Sequence, residues 1–348
     1  MIQTAILSII LVLFCGCDRG SKAPAREVNL AIWSGLIPPQ VFSDFEKEKG
    51  IKVHVTHYSS NEELLAKLQT GVRLYDLALP ADYMVLVLRK LNLLEELDHS
   101  LISNLKELDP SFLHHRYDPE NKYSVPFERG TTGIAINRSL YSGKINSWKD
   151  VFTRQDLAGK FSLLDDMREV IGIALKSLGY SLNSKNPEEL KQAKAVLAGI
   201  KNRIKAFNSE TIPLLLDRDV VLAQAFVSDT LQAKERSKTR SKDKIEYVFP
   251  AEGGAVWMDN FVIPKGAQHP KEAHELISFL LAPKAAAITV SNFFVAPSNL
   301  QTLPLLSPEI RNNSSIFPSP EILKRYEMVQ DLEEALPVWE RIWTELKV

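Results

Sequence analysis

An indole and a carboxylate stand two residues apart in Trp257-Met258-Asp259, within an apolar run that follows Gly253-Gly254 and stops at Pro264. A Gly-Gly turn, an apolar run and a closing Pro predict a strand. Side chains two apart on a strand share a face. Trp257 and Asp259 therefore offer a π-face and a negative charge together, flanked by Val256, Met258 and Phe261. A carboxylate in such company is costly unless a cation joins it, and ammonium groups favour indole faces. The pair suits the floor of a cleft for an organic amine. A half-exposed strand with an ordinary surface Asp is the plainer reading of the same residues.

A second cluster is Leu163-Leu164-Asp165-Asp166-Met167-Arg168-Glu169-Val170, where an apolar run ends in acids and enters a helix. Asp166 at the N-cap with Glu169 three residues on imitates a capping box and complements the helix dipole. The same acids at the edge of a lobe would meet a cationic ligand; both roles are open. Trp33 closes the first strand and Tyr83 opens a helix, and strand ends in α/β sheets are where ligands bind. Aromatic side chains at such places also serve simply as packing. The chain has no Gly-x-Ser-x-Gly, no P-loop and no Gly-x-Gly-x-x-Gly after a strand, which leaves hydrolase and nucleotide chemistry without their usual parts. His54-x-x-His57 and His114-His115 come nearest to metal spacing. Residues three apart on a strand face opposite sides, so surface histidines outweigh ligands here, and no metal or cofactor is expected.

The elements that must place these residues alternate. Strands are predicted at Glu27–Trp33, Ile51–Tyr58 and Tyr75–Leu79, with helices from Pro38-Pro39 to Gly50, from Ser60 to Gly71 and over Tyr83–Leu97. That rhythm argues an α/β domain with a largely parallel sheet. Gly130-Thr131-Thr132-Gly133 breaks it, and the strand through Asn137 reads as a crossover into a second lobe. Helical patterns follow at Trp148–Thr153, Arg168–Leu178 and Pro187–Ile204, then a buried strand at Val220–Phe226. Lys234–Lys244 reads as a solvated helix end and loop. A helix is predicted over Leu323–Leu332 and an aromatic one at the C-terminus with Trp339 and Trp343.

The chain has 348 residues, which at about 150 per domain predicts two domains or one large one. With 42 basic against 43 acidic residues, a dedicated nucleic-acid binder is disfavoured. Residues 1–17 form a separate material. The apolar stretch Ile9–Phe14 is too short to span a bilayer and suits a signal-peptide core. Gly16-Cys17 resembles a lipobox, with Cys17 lipidated as the first mature residue; cleaved export without an anchor is the alternative. Both cysteines, Cys15 and Cys17, lie there, so the folded body has no disulfide and no Cys nucleophile.

Several motifs occur together in one known order: Ile32-Trp33 before Pro38-Pro39, Tyr75-Asp76-Leu77 before Pro80, the Asp165 to Val170 run, Phe207-Asn208-Ser209, Glu252-Gly253-Gly254 with Trp257-Met258-Asp259, and Leu305-Leu306-Ser307-Pro308-Glu309. They resemble the spermidine/putrescine-binding proteins, substrate-binding components of bacterial polyamine ABC transporters. The resemblance runs from Val28 to Leu346. It implies an α/β, two-lobed periplasmic-binding-protein fold of type II, with the ligand cleft between lobes. The expected division is a 1–17 leader, an 18–26 linker, a first lobe of 27–133 plus 259–303, and a second of 134–258 plus 304–348.

Residue by residue, the resemblance implies that Trp257 and Asp259 engage an amine and that Asp166 and Glu169 are the acids of the second lobe. It places Trp33, Ser34, Tyr83, Ser209, Phe226 and Gln330 along the cleft. Gly35 and Leu36 stand where the family has an acid and a Tyr; Ala81, Phe226 and Val295 replace a Ser, a Trp and a Tyr. Asp82 suits the cap of the helix it precedes, with substitution for the missing acid as its alternative role. The expectation is a monomeric, non-enzymatic receptor, periplasmic and lipid-anchored. It would take putrescine or spermidine and serve a permease and an ATPase, with no cofactor. A surface lipoprotein that senses another cation without feeding a transporter is the alternative.

Overall fold

The computed structural model describes residues 26–71 and 73–348. The leader, the lipobox at Cys17 and the linker up to residue 25 lie outside the described residues. The first stretch alternates as predicted: β1 (Glu27–Trp33), α1 (Pro39–Lys49), β2 (Lys52–Tyr58), α2 (Asn61–Gln69), β3 (Leu77–Ala78) and α3 (Asp82–Lys90). Pro38 and Pro39 open α1, and Gly50 ends it at φ 66°, a left-handed turn that glycine makes without strain. β1 pairs in parallel with β2 on one side and β3 on the other. The register of the β1–β2 pair sets Trp33 beside Tyr58. Val28, Leu30, Ile32, Phe45 and Leu276 pack into a first hydrophobic core.

The long strand β4 (Val125–Asn137) leaves that core and enters a second. Beyond it come α4 (Trp148–Thr153), β5 (Phe161–Leu163), α5 (Met167–Ser177), α6 (Pro187–Ile200), β6 (Ile204–Phe207), α7 (Thr211–Leu216), β7 (Leu222–Phe226), α8 (Val227–Arg240) and β8 (Ile245–Val248). The chain returns along β9 (Ala255–Phe261), through α9 (Pro270–Leu280), α10 (Pro283–Phe293) and β10 (Ala296–Pro297). It closes with the short turns α11 (Pro308–Arg311) and α12 (Pro320–Leu323), β11 (Glu327–Met328) and α13 (Leu336–Lys347). The second core gathers Ile134, Trp148, Leu163, Val170, Leu197 and Trp339.

Two antiparallel strands join the cores. Val125 to Thr131 of β4 pair with Phe261 to Val256 of β9, whereas Thr132 to Asn137 pair with β7 and β8. Phe127 and Phe261 belong to the first core, and Ile134 and Ile136 to the second. β9 also bridges back to the first sheet at Ala78–Val262 and Ala81–Asp259.

Two expectations are corrected. Helix α3 stops at Lys90, not Leu97, because Asn92 turns at φ 56° and Leu94 bridges Pro264. The helix predicted over Leu323–Leu332 is instead β11, whose Glu327 and Met328 pair in parallel with Ala255 and Val256. The Lys234–Lys244 stretch is the solvated end of α8, which stops at Arg240, and the loop after it.

Candidate functional site

One face of β4 floors the space between the cores. Glu128, Gly130 and Thr132 alternate along it, and their partners are Asp259, Trp257 and Phe226. Directly opposite residues in an antiparallel ladder project to the same side, so three neighbouring pairs form a continuous platform. Gly130 is required at its centre. A Cβ there would fall 2.2 Å from Trp257 Cζ2, so the indole lies on bare backbone. Phe226 meets it edge-on, with centroids 5.8 Å apart and planes at 87°. The Gly253-Gly254 turn sets this strand: Gly253 has φ +82°, and a Cβ on it would strike the Arg325 carbonyl.

At the second-core end, Asp166 caps α5, its carboxylate accepting from the N–H groups of Arg168 and Glu169 at 2.8 and 3.0 Å. Glu169 does not reach back to close a capping box. Its carboxylate accepts from Thr132 Oγ1 at 2.8 Å and Gln224 Nε2 at 3.4 Å. Burial pushes Glu169 up to about 8, with the Asp166 charge adding to it, and burial also raises Asp166. Arg168 stacks over the Trp339 ring at 5.0 Å and donates to Asn183 Oδ1 at 3.1 Å.

At the first-core end, Asp259 is 7% exposed. Burial pushes its carboxyl up to about 7, and the nearby Trp33 indole pulls the other way. That indole N–H is close enough to act but not aligned into a hydrogen bond. Trp33 leans on Tyr58 with centroids 4.5 Å apart, and Tyr58 is fixed by donating to the Leu79 carbonyl at 2.6 Å. Tyr83 donates to Glu62 at 3.0 Å and accepts from Asn61 at 3.1 Å. Burial, with the Glu62 and Asp166 charges adding to it, holds its phenol well above the usual range.

Trp33, Tyr83, Asp166, Glu169, Phe226, Trp257 and Asp259 are thus brought near one another through these pairings and contacts. Ser34, Ser209 and Gln330 are exposed. Ser209 Oγ accepts from the Asp165 N–H at 3.1 Å, and the Gln330 N–H donates to Asn183. Leu36 points into the first core at 1% exposure. Two further acids lie at the first-core end: Glu128, which no sequence motif marks, and Asp82, whose alternative role is to replace the missing family acid. Glu128 lies beside Asp259, and its one signal was alternation with Gly130 and Thr132. Asp82 suggested a helix cap, but Ala81 holds that position and Asp82 is the first helical residue. Its Oδ1 accepts from the Tyr83 N–H at 2.8 Å.

A family model described as bacterial extracellular solute-binding protein matches residues 40–318. The chain is 35% identical over 332 residues to spermidine/putrescine-binding periplasmic protein 1 of Haemophilus influenzae, covering 94% of this chain and 91% of that one. A solved structure from Listeria monocytogenes, a putative spermidine/putrescine ABC transporter, is similar with a TM-score of 0.86 and 34% identity, over 93% of this chain and 99% of that one. A lipoprotein structure from Treponema pallidum is similar with a TM-score of 0.81 and 30% identity, over 92% and 99%. The architecture is the type II periplasmic-binding fold, two α/β lobes with a cleft between them. The chain belongs to the bacterial extracellular solute-binding proteins and, within them, to the spermidine/putrescine-binding group.

Proposed function

We propose that this chain binds a linear polyamine, putrescine or spermidine, in the interlobe cleft and delivers it to an ABC permease driven by its ATPase. One observation carries the reading: buried acids at both ends of an indole-floored platform, Asp259 at one and Asp166 with Glu169 at the other. Ammonium groups would pair with the acids while the methylenes lie along Trp257 and Phe226. The names of the relatives support the same ligand class.

The lobes in this proposal are 27–133 with 259–303 and 134–258 with 304–348, which the two cores support. They close around the cation, and no bond is made or broken. Ser34, Ser209 and Gln330 serve at the rim. The chain acts outside the cytoplasm as a monomer, anchored through a lipid on Cys17; the lipoprotein relative supports the anchor.

Calorimetric titration of the soluble body with putrescine, cadaverine, spermidine and spermine tests the ligand class. Binding of at least one is expected. If none binds more tightly than about 1 mM, roughly −4 kcal/mol, the polyamine reading is wrong.

A further inference from the structure

We propose that Asp82, Glu128 and Asp259 together form an anionic subsite at the first-lobe end of the cleft that holds one ammonium group of the ligand. The proposal rests on the polyamine reading and assigns the end of the site where Gly35 and Leu36 supply no charge.

The three residues converge through backbone pairing. Glu128 and Asp259 are direct partners across β4 and β9. Ala81 bridges Asp259 from the other side, which brings Asp82 alongside. Glu128 and Asp82 are each 1% exposed. Among the described residues, neither carboxylate oxygen of Glu128 has a partner, and Asp82 Oδ2 has none. The Trp33 and Trp257 indole nitrogens are unpartnered as well. Native structures rarely leave buried polar atoms unmatched, and here five of them border one space.

Among the described residues no fixed cation answers these acids. From β9 comes Asp259, from the start of α3 Asp82 and Tyr83, and from β1 and β2 Trp33 and Tyr58. Arg129 is next to Glu128 in the chain, yet it stacks over Phe112 at 4.4 Å, on the opposite face of β4. Arg168 lowers Asp82 slightly from the other lobe but is committed to Trp339 and Asn183. Among the described residues no group of acids and histidines has metal-holding geometry. An organic ammonium, which hydrogen-bonds and tolerates indole neighbours, fits the space better than a bare metal ion.

An empty subsite of this kind is kept partly neutral. Burial and the neighbouring Asp259 charge push Asp82 up to about 8 and hold Glu128 well above the carboxylate range. An arriving ammonium favours the ionised acids, so binding expels protons.

The test is titration calorimetry of the purified protein with spermidine and putrescine near neutral pH, in two buffers of different protonation enthalpy. Wild type is compared with Glu128→Gln and Asp82→Asn, after checking that each variant melts cooperatively without ligand. Glu128→Gln is expected to weaken spermidine binding by about tenfold or more and to reduce the protons released. Asp82→Asn should act in the same direction, and it decides the matter if Glu128→Gln does not fold. Unchanged affinity and unchanged proton release in a folded variant overturn the subsite while leaving the polyamine reading intact. Absence of amine binding by wild type overturns both.

Discussion

Glu128 and Asp259 face each other directly across the β4–β9 ladder, two buried carboxylates that no cation among the described residues pairs. Two like charges so placed cannot both ionise freely, and burial is the larger cause of the upward shift in each. The consequences of that placement are measurable.

Asp259→Ala is expected to weaken polyamine binding severely, because a desolvated ammonium loses its partner. The expected cost is about 3–5 kcal/mol. The ligand-free protein should melt no lower than wild type, since the substitution relieves a crowded pair of acids. Calorimetry and a thermal melt check the two halves of this expectation. Unaltered affinity would sink the assignment of Asp259.

Stability should fall as pH rises in the empty protein, while the increment that the ligand adds should grow. Asp259 at about 7 and Asp82 and Glu169 at about 8 lie above their unfolded values. The folded chain therefore holds protons that the unfolded chain releases. The stability this provides is fully present below about pH 4 and is lost as pH rises towards about 8. Asp82→Asn should flatten that fall in ligand-free melting temperature. The ligand-induced rise in melting temperature should grow between about pH 5.5 and about pH 8.5 in wild type.

Gly130→Ala should displace the Trp257 indole, since the added Cβ would overlap its ring. Overpacking of this kind costs about 1–3 kcal/mol. Combining Gly130→Ala with Trp257→Ala should restore much of the melting temperature but not the ligand affinity. Recovery of affinity in the double variant would show that the indole is not a binding surface.

Lys90 on α3 pairs with Asp331 at 2.8 Å, joining the first-lobe side of the cleft to the C-terminal segment. Lys90 is half exposed, and such pairs contribute about 0–1 kcal/mol. Lys90→Ala should therefore weaken ligand binding only a few-fold, and less so in high salt. A large loss, or one insensitive to salt, would give Lys90 a different role.

Local signals carried much of the architecture. Pro39 and Gly50 bracket α1, and Ser147 and Asp166 cap α4 and α5 with their own side chains. The Trp257–Asp259 spacing placed both groups on one face because β9 is a regular strand. What escaped depends on partners distant in sequence. Glu128 lies just past a register shift between Pro126 and Glu128, and its importance comes from facing Asp259, a pairing no local pattern encodes. The Leu323–Leu332 stretch has helical periodicity. It is drawn into the sheet because Tyr326 is buried and Glu327 is held by Lys176 at 2.9 Å. Leu36 stands where the family has a Tyr, but the chain turns at Gly35, with φ +76°, and carries Leu36 into the core.

Gly130 and Trp257 sit where β4 passes from one core to the other, which makes the indole floor a fulcrum. When one lobe rotates about that crossing, each group moves in proportion to its distance from it. Atoms against Trp257 scarcely shift, whereas groups farther from the crossing travel further. A ligand resting there can keep its stacking contact throughout the swing, so the stacking contact can form before the lobes close, and the acids farther out register whether they have.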